Sequence, residues 1–162
     1  MGLLKPKLLP EIQNKINTLN PIIFVSVPHV FGLPVLEGAL SQLYYTRDEI
    51  VIDVQSMTFH LKLQKTISIS TETSVNIQKA FVSSVGGAVL GGTVLGPLGA
   101  AIGGRAKEKV SREIKTYLIF TYKKDENLEQ IAFDITHTSK AKKFATYFQR
   151  NQTQKASYDI NL

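Results

Sequence analysis

The side chains able to do chemistry are few in this chain, and they are poorly spaced for it. His29, His60 and His137 are the only histidines, and there is no cysteine. A zinc site without thiolates would need these histidines and carboxylates together, and nothing in the spacing pairs them as ligands. Asp48, Glu49 and Asp53 are near one another, but a solvated turn accounts for them. No G-x-S-x-G, no Ser-His-Asp order and no H-E-x-x-H occurs. A phosphate loop needs Gly, four residues, then Gly-Lys and Ser or Thr. The nearest match, GAAIGGRA at 99–106, has Arg in the Lys position and Ala after it. The dinucleotide pattern G-x-G-x-x-G is absent. No residue set asks for catalysis, so the expectation is a non-enzymatic protein with no cofactor and no metal.

The unusual spacing belongs to small residues. Eight of the eleven glycines fall in GGAVLGGTVLGPLGAAIGG, 86–104. At helical spacing Ala88, Gly92, Gly96, Ala100 and Gly104 form one row, and Gly87, Gly91, Gly99 and Gly103 a second. Such rows let two backbones approach closely along a flat seam. Each glycine costs a helix about 1 kcal/mol against alanine, so a helix here needs packing partners or a bilayer. A flexible linker would be Ser-rich and polar, whereas this run carries Phe81, Val82, Val85, Leu90, Leu95 and Ile102.

Ala80 to Gly104 contains no charge, long enough for one membrane crossing. A single crossing would place the flanking strands on opposite sides of the membrane, where they could not share a sheet. The spacing therefore predicts a helical hairpin over 79–113 that bends at Gly96-Pro97. Each uncharged arm, at 1.5 Å per residue, is about 18 Å long and could enter one leaflet. It could equally pack on its own domain or on another subunit. The candidate seam is Gly87, Ala88, Gly91, Gly92, Gly96, Pro97, Gly99, Ala100, Gly103 and Gly104. Arg105, Lys107, Lys109 and Arg112 follow it and suit an anionic surface.

The net charge is +6 and uneven: residues 105–116 hold five basic and two acidic groups, and 136–162 five and one. Clustered positive charge attracts anionic lipid or nucleic acid. The strands do not interleave Arg or Lys with exposed aromatics, and Tyr44, Tyr45, Phe120 and Tyr122 read as core and rim, so nucleic acid is a minor alternative. The N-terminus lacks a long apolar core and a cleavage site, and Pro6 spoils a myristoylation motif. The expected location is cytoplasmic, at the inner face of the membrane.

These residues need elements to hold them. Pro10 opens a short helix with Ile12, Ile16 and Leu19 on one side, and Asn20-Pro21 closes it. An extended piece follows at 22–27. Strands are then expected at 40–46, 49–54, 57–63, 66–70 and 73–79, with further strands at 114–122 and 128–135. In MTFHLKL, Met57, Phe59, Leu61 and Leu63 share one face and Thr58, His60 and Lys62 the other. A helix at 139–150, capped by Thr138 or Ser139, lines up Ala141, Phe144, Ala145 and Phe148. The last twelve residues form a polar tail.

The strand series, the final TSKAKKFATYFQ helix and the glycine-rich insertion before the last two strands resemble a bacterial PH-like or GRAM-like domain. The resemblance implies an α+β fold: an antiparallel sheet curled into a barrel and capped by the C-terminal helix. It divides the chain into an N-terminal helix and arm (1–31), a PH-like domain (32–150) and the tail (151–162). It also implies binding of lipid head groups through basic residues in the loop after the first strand. That loop, taken as TRDEI, holds one Arg and two acids and departs from the pattern. The expected function is membrane-surface association or self-association through the insertion, with an anionic membrane, another protein or a second copy as partner. The alternative is a soluble interaction domain that oligomerises.

Overall fold

Alternating β-branched and aromatic residues with two-residue breaks drive the chain into short antiparallel strands. The computed structural model describes residues 8–77, 89–90, 93–94 and 113–158. Helix α1 (Pro10–Leu19) starts on its proline and ends at Asn20, whose left-handed backbone donates its N–H to Ile16 O at 2.8 Å. Strands β1 (Ile23–Phe31), β2 (Leu40–Tyr45), β3 (Glu49–Val54), β4 (Met57–Lys62) and β5 (Thr66–Thr73) follow. After the two-residue strands β6 (Val89–Leu90) and β7 (Thr93–Val94) come β8 (Thr116–Lys124) and β9 (Asn127–Asp134). A 3-10 turn at Ser139–Lys142 then leads into α2 (Lys143–Tyr158).

Seven strands form one antiparallel sheet in the order β4-β3-β2-β1-β9-β8-β5. Strand β1 joins two meanders. Its residues from Ile23 to Pro28 pair with β2, and beyond an irregularity at His29 to Phe31 it pairs with β9. The extended piece expected at 22–27 thus runs to Phe31 and is the centre of the sheet. Pro28 hides this in the sequence, because a proline reads as a break in a strand. The ladder is open, with β4 and β5 at its two ends and no pairing between them.

The expected strands 66–70 and 73–79 are corrected. One strand spans 66–73, and residues 74–77 form a helical turn. The Thr73 hydroxyl accepts the Asn76 N–H at 3.2 Å and so starts that turn.

One side of the sheet holds the core. Val25 and Val27 of β1, Leu43 and Tyr45 of β2, and Ile50 and Ile52 of β3 meet Leu118 and Phe120 of β8 and Phe133 of β9. Helix α2 closes this side with Phe144 and Phe148. The Phe144 ring lies edge-on to Tyr45 at 5.5 Å and to Phe120 at 6.1 Å. Thr138 occupies the predicted cap position but makes no side-chain cap hydrogen bond. On the opposite face of β2 and β3, Tyr44 and Val51 are also buried. Lys15 of α1 reaches that face, 2.6 Å from Asp53 Oδ1 and 5.6 Å from the Tyr44 ring centre. Burial, reinforced by the Asp53 charge, pushes the Tyr44 phenol up to about 12.

Candidate functional site: the root of the glycine-rich insertion

The insertion leaves the sheet after β5 and returns at β8, and these two strands are neighbours. Thr73 and Thr116 are cross-strand partners at the end of their ladder. Beyond them the Ser74 N–H donates to Lys115 O at 2.8 Å, and the Lys115 N–H donates to Ser74 Oγ at 3.1 Å. Two polar clasps tie this root to the end of β9. The Thr116 N–H donates to Thr136 Oγ1 at 3.1 Å, and the Ile135 N–H donates to Thr116 O at 2.9 Å. Asp134 fixes Thr136 in turn by accepting its N–H at 2.9 Å. Both feet of the insertion are therefore held side by side, as the sequence argument against a single crossing requires.

Exposed cations flank the root in the chain. Lys115 lies on one foot, and Lys140, Lys142 and Lys143 lie a few residues beyond Thr136. Glu113 and His137 also meet here, 3.5 Å apart and both solvent-facing. Each lysine near an anionic bilayer contributes about 1 kcal/mol of attraction. The lysines after Thr136 carry no recognisable spacing in the sequence. They are linked to this site by Thr136, which bonds Thr116 at the start of β8.

The candidate seam residues Gly87, Ala88, Gly91, Gly92, Gly96, Pro97, Gly99, Ala100, Gly103 and Gly104 lie outside the described residues. So do the basic candidates Arg105, Lys107, Lys109 and Arg112. At four positions of the expected hairpin the backbone is seen, and there the helical expectation is corrected. Val89 pairs with Val94 and Leu90 with Thr93 in an antiparallel ladder. The reason is local: Val and Thr favour extended backbone, and the Gly91-Gly92 pair between them is a two-residue hairpin signal.

The other reactive side chains are engaged in structure. Glu49 bonds Lys62 at 2.7 Å and His60 at 3.3 Å. The Lys62 contact, followed by His60, holds its carboxyl below the usual range against an opposing effect of partial burial. Asp53 accepts from Lys15 and from the Thr58 hydroxyl. Among the described residues no group of three His, Asp or Glu side chains could hold a metal ion. His29 is the side chain whose role the sequence conceals. It is 3% exposed, edge-on to Phe133, with Nε2 accepting the Leu33 N–H at 3.2 Å and Nδ1 3.3 Å from Leu36 O. This pattern fits the neutral Nδ1–H form and pins the loop between β1 and β2. The parity of Val25, Val27 and His29 in IFVSVPHVF is the signal that could have placed it in the core.

Because β1 is the first strand, the loop after it is GLPVLEGA, 32–39, and not TRDEI. It contains no Arg or Lys. Its Leu36 is 71% exposed, and Leu40 and Met57 nearby are exposed too. A depression of about 350 Å³ lies elsewhere, lined by Gln64, Lys65, Ile67, Lys123 and Asp125, and brings together no catalytic set. Among the described residues no helix is long and apolar enough to cross a membrane. No family model, curated protein or solved structure matches the chain.

Proposed function

We propose that this chain is a non-enzymatic PH-like module whose glycine-rich insertion mediates association with an anionic membrane surface at the cytoplasmic side, where copies can also self-associate. The PH-like reading is supported by the strand order, by β1 serving two meanders and by α2 closing the core side. The observation that carries the functional reading is the paired root. Thr73 and Thr116 hold both feet of the insertion, whose stretch 80–104 is uncharged, at one place on the sheet; Lys115 adjoins one foot, and Lys140, Lys142 and Lys143 follow in the chain after Thr136, which is bonded to Thr116. Such a root lets the segment enter and leave the same leaflet, while the lysines face the head groups. Head-group recognition in the loop after β1 is not part of the proposal, since that loop has no cation to offer.

The test is co-flotation with vesicles containing anionic lipid, comparing the intact chain with a deletion of 80–104. Deletion should abolish flotation, and unchanged flotation would sink the proposal. If neither protein floats but Gly92→Leu lowers the mass of the intact chain by light scattering, the function passes to self-association in solution.

A further inference from the structure

At the end of the β5–β8 ladder remote from the insertion, two lysines share a cleft. The ladder begins at Thr66 and Tyr122 and ends at the root, Thr73 and Thr116, roughly 20 Å away along the strand. The cleft has a volume of about 350 Å³ and is lined by Gln64, Lys65, Ile67, Lys123 and Asp125. The 3-10 turn Leu63–Lys65, which carries the chain from β4 to β5, forms one wall. Its base is fixed: Leu63 is buried and donates its N–H to Asp48 O at 3.0 Å, and the Thr66 hydroxyl donates to Lys62 O at 3.0 Å. An irregularity in the ladder supplies the floor. Thr66 pairs with Tyr122 and Ser68 with Thr121, so Ile67 has no partner on β8, and it is 52% exposed. The β8–β9 hairpin forms the other wall, with Lys123 near the end of β8 and Asp125 in the turn at a left-handed φ of 55°.

The charges of this cleft are not balanced from within. Among the described residues Lys15 and Lys62 have carboxylate partners, whereas Lys65 and Lys123 have none. Asp125 lines the same cleft and pairs with neither lysine. We propose that the cleft binds a small phosphate monoester that also carries a hydroxyl group. Such a phosphate holds about −1.5 to −2 charges at neutral pH and answers two ammonium groups, where a carboxylate answers one. Lysine holds phosphate as a point charge on a flexible stem, which suits two lysines arriving from different turns. The Gln64 amide adds a neutral donor. Asp125 repels the anion toward the lysine side and accepts a hydrogen bond from the ligand hydroxyl. Ile67 offers an apolar wall to the carbon skeleton, and the volume is that of a small-molecule site. Nothing in the cleft depends on what the insertion binds, since its lining residues are remote from the root.

The isotope-labelled full chain is titrated with glycerol 3-phosphate in phosphate-free buffer and followed by its amide NMR shifts, with glycerol as the control. Glycerol 3-phosphate should give saturable shifts centred on the 3-10 turn and the β8–β9 hairpin, and glycerol none. Lys65→Gln and Lys123→Gln should each weaken binding at least about fivefold. Lys124→Gln removes the same charge from the same hairpin outside the cleft and should change it less than about twofold. Equal weakening by all three would reveal diffuse attraction to positive charge and overturn the proposal. A second arm decides the source of the phosphate, using neutral vesicles that contain lysophosphatidic acid, which presents the same phosphate and hydroxyl on a bilayer. Flotation that Lys65→Gln and Lys123→Gln weaken and Lys124→Gln leaves unchanged assigns the group to a lipid. A response to free glycerol 3-phosphate alone assigns it to a soluble compound. Failure of both arms would overturn the proposal, whatever deletion of 80–104 does to flotation.

Discussion

At the scale of residues, two positions hold the loop between β1 and β2 in place. Gly32 has a φ of +102°, and a Cβ there would meet Gln130 O at 2.0 Å, a backbone atom of β9 that cannot step aside. Gly32→Ala combines that clash with backbone strain and should cost at least about 2 kcal/mol in urea unfolding. His29 was legible as a histidine but not as a buried one, because Pro28 before it breaks the strand pattern. Glu49 gives a pH test. Its folded carboxyl titrates below its ordinary value of 4.5, so its stabilising share is complete above that value and is lost as pH falls through the folded value. The gap in stability between the native chain and Glu49→Gln should be full at neutral pH and should close as pH falls below 4.5 and through the folded value. Both Glu49 partners are more than half exposed, so the gap at neutral pH stays at or below about 1 kcal/mol. A gap that widens in acid would show that the pair does not stabilise the fold.

At the scale of elements, legibility followed burial on one face. Strand β4 was readable from clean alternation, as in Phe59 and Leu61 against Thr58, His60 and Lys62, and β2 and β3 from their β-branched and aromatic runs, although Tyr44 and Val51 are buried on the opposite face as well. Helix α2 was readable from Ala141, Phe144 and Phe148 at helical spacing. Phe144→Ala removes the ring that touches both Tyr45 and Phe120 and should cost about 3–5 kcal/mol, lowering the thermal midpoint by roughly 10 °C. A drop of only a degree or two would mean α2 is not part of the core. Two elements misled. The alternation in TSVNIQK suggests a strand, but the Thr73 hydroxyl bonds the backbone three residues on and starts a helical turn. In VLGGTV a row of small residues four apart competes with a hairpin signal two residues long, and the local signal wins at Val89–Leu90 and Thr93–Val94.

At the scale of the whole molecule, the sequence argument that strands on both sides of the insertion share one sheet holds. Strands β5 and β8 are neighbours, and their last pair is the root of the insertion. The order of the remaining strands was not legible, because pairing between β1 and β9 joins residues about a hundred positions apart and leaves no local trace. For the same reason the link from Thr136 to Thr116 could not be read before the fold was known. Membrane association is assigned to the insertion. The most direct measurement is flotation of the intact chain and the 80–104 deletion on vesicles with and without anionic lipid. Because Thr73 and Thr116 already meet, the shortened connection can close, and circular dichroism should show the same sheet signal in both proteins. Only the intact chain should float, with a preference for the anionic vesicles. A folded deletion that floats as well as the intact chain would contradict that assignment.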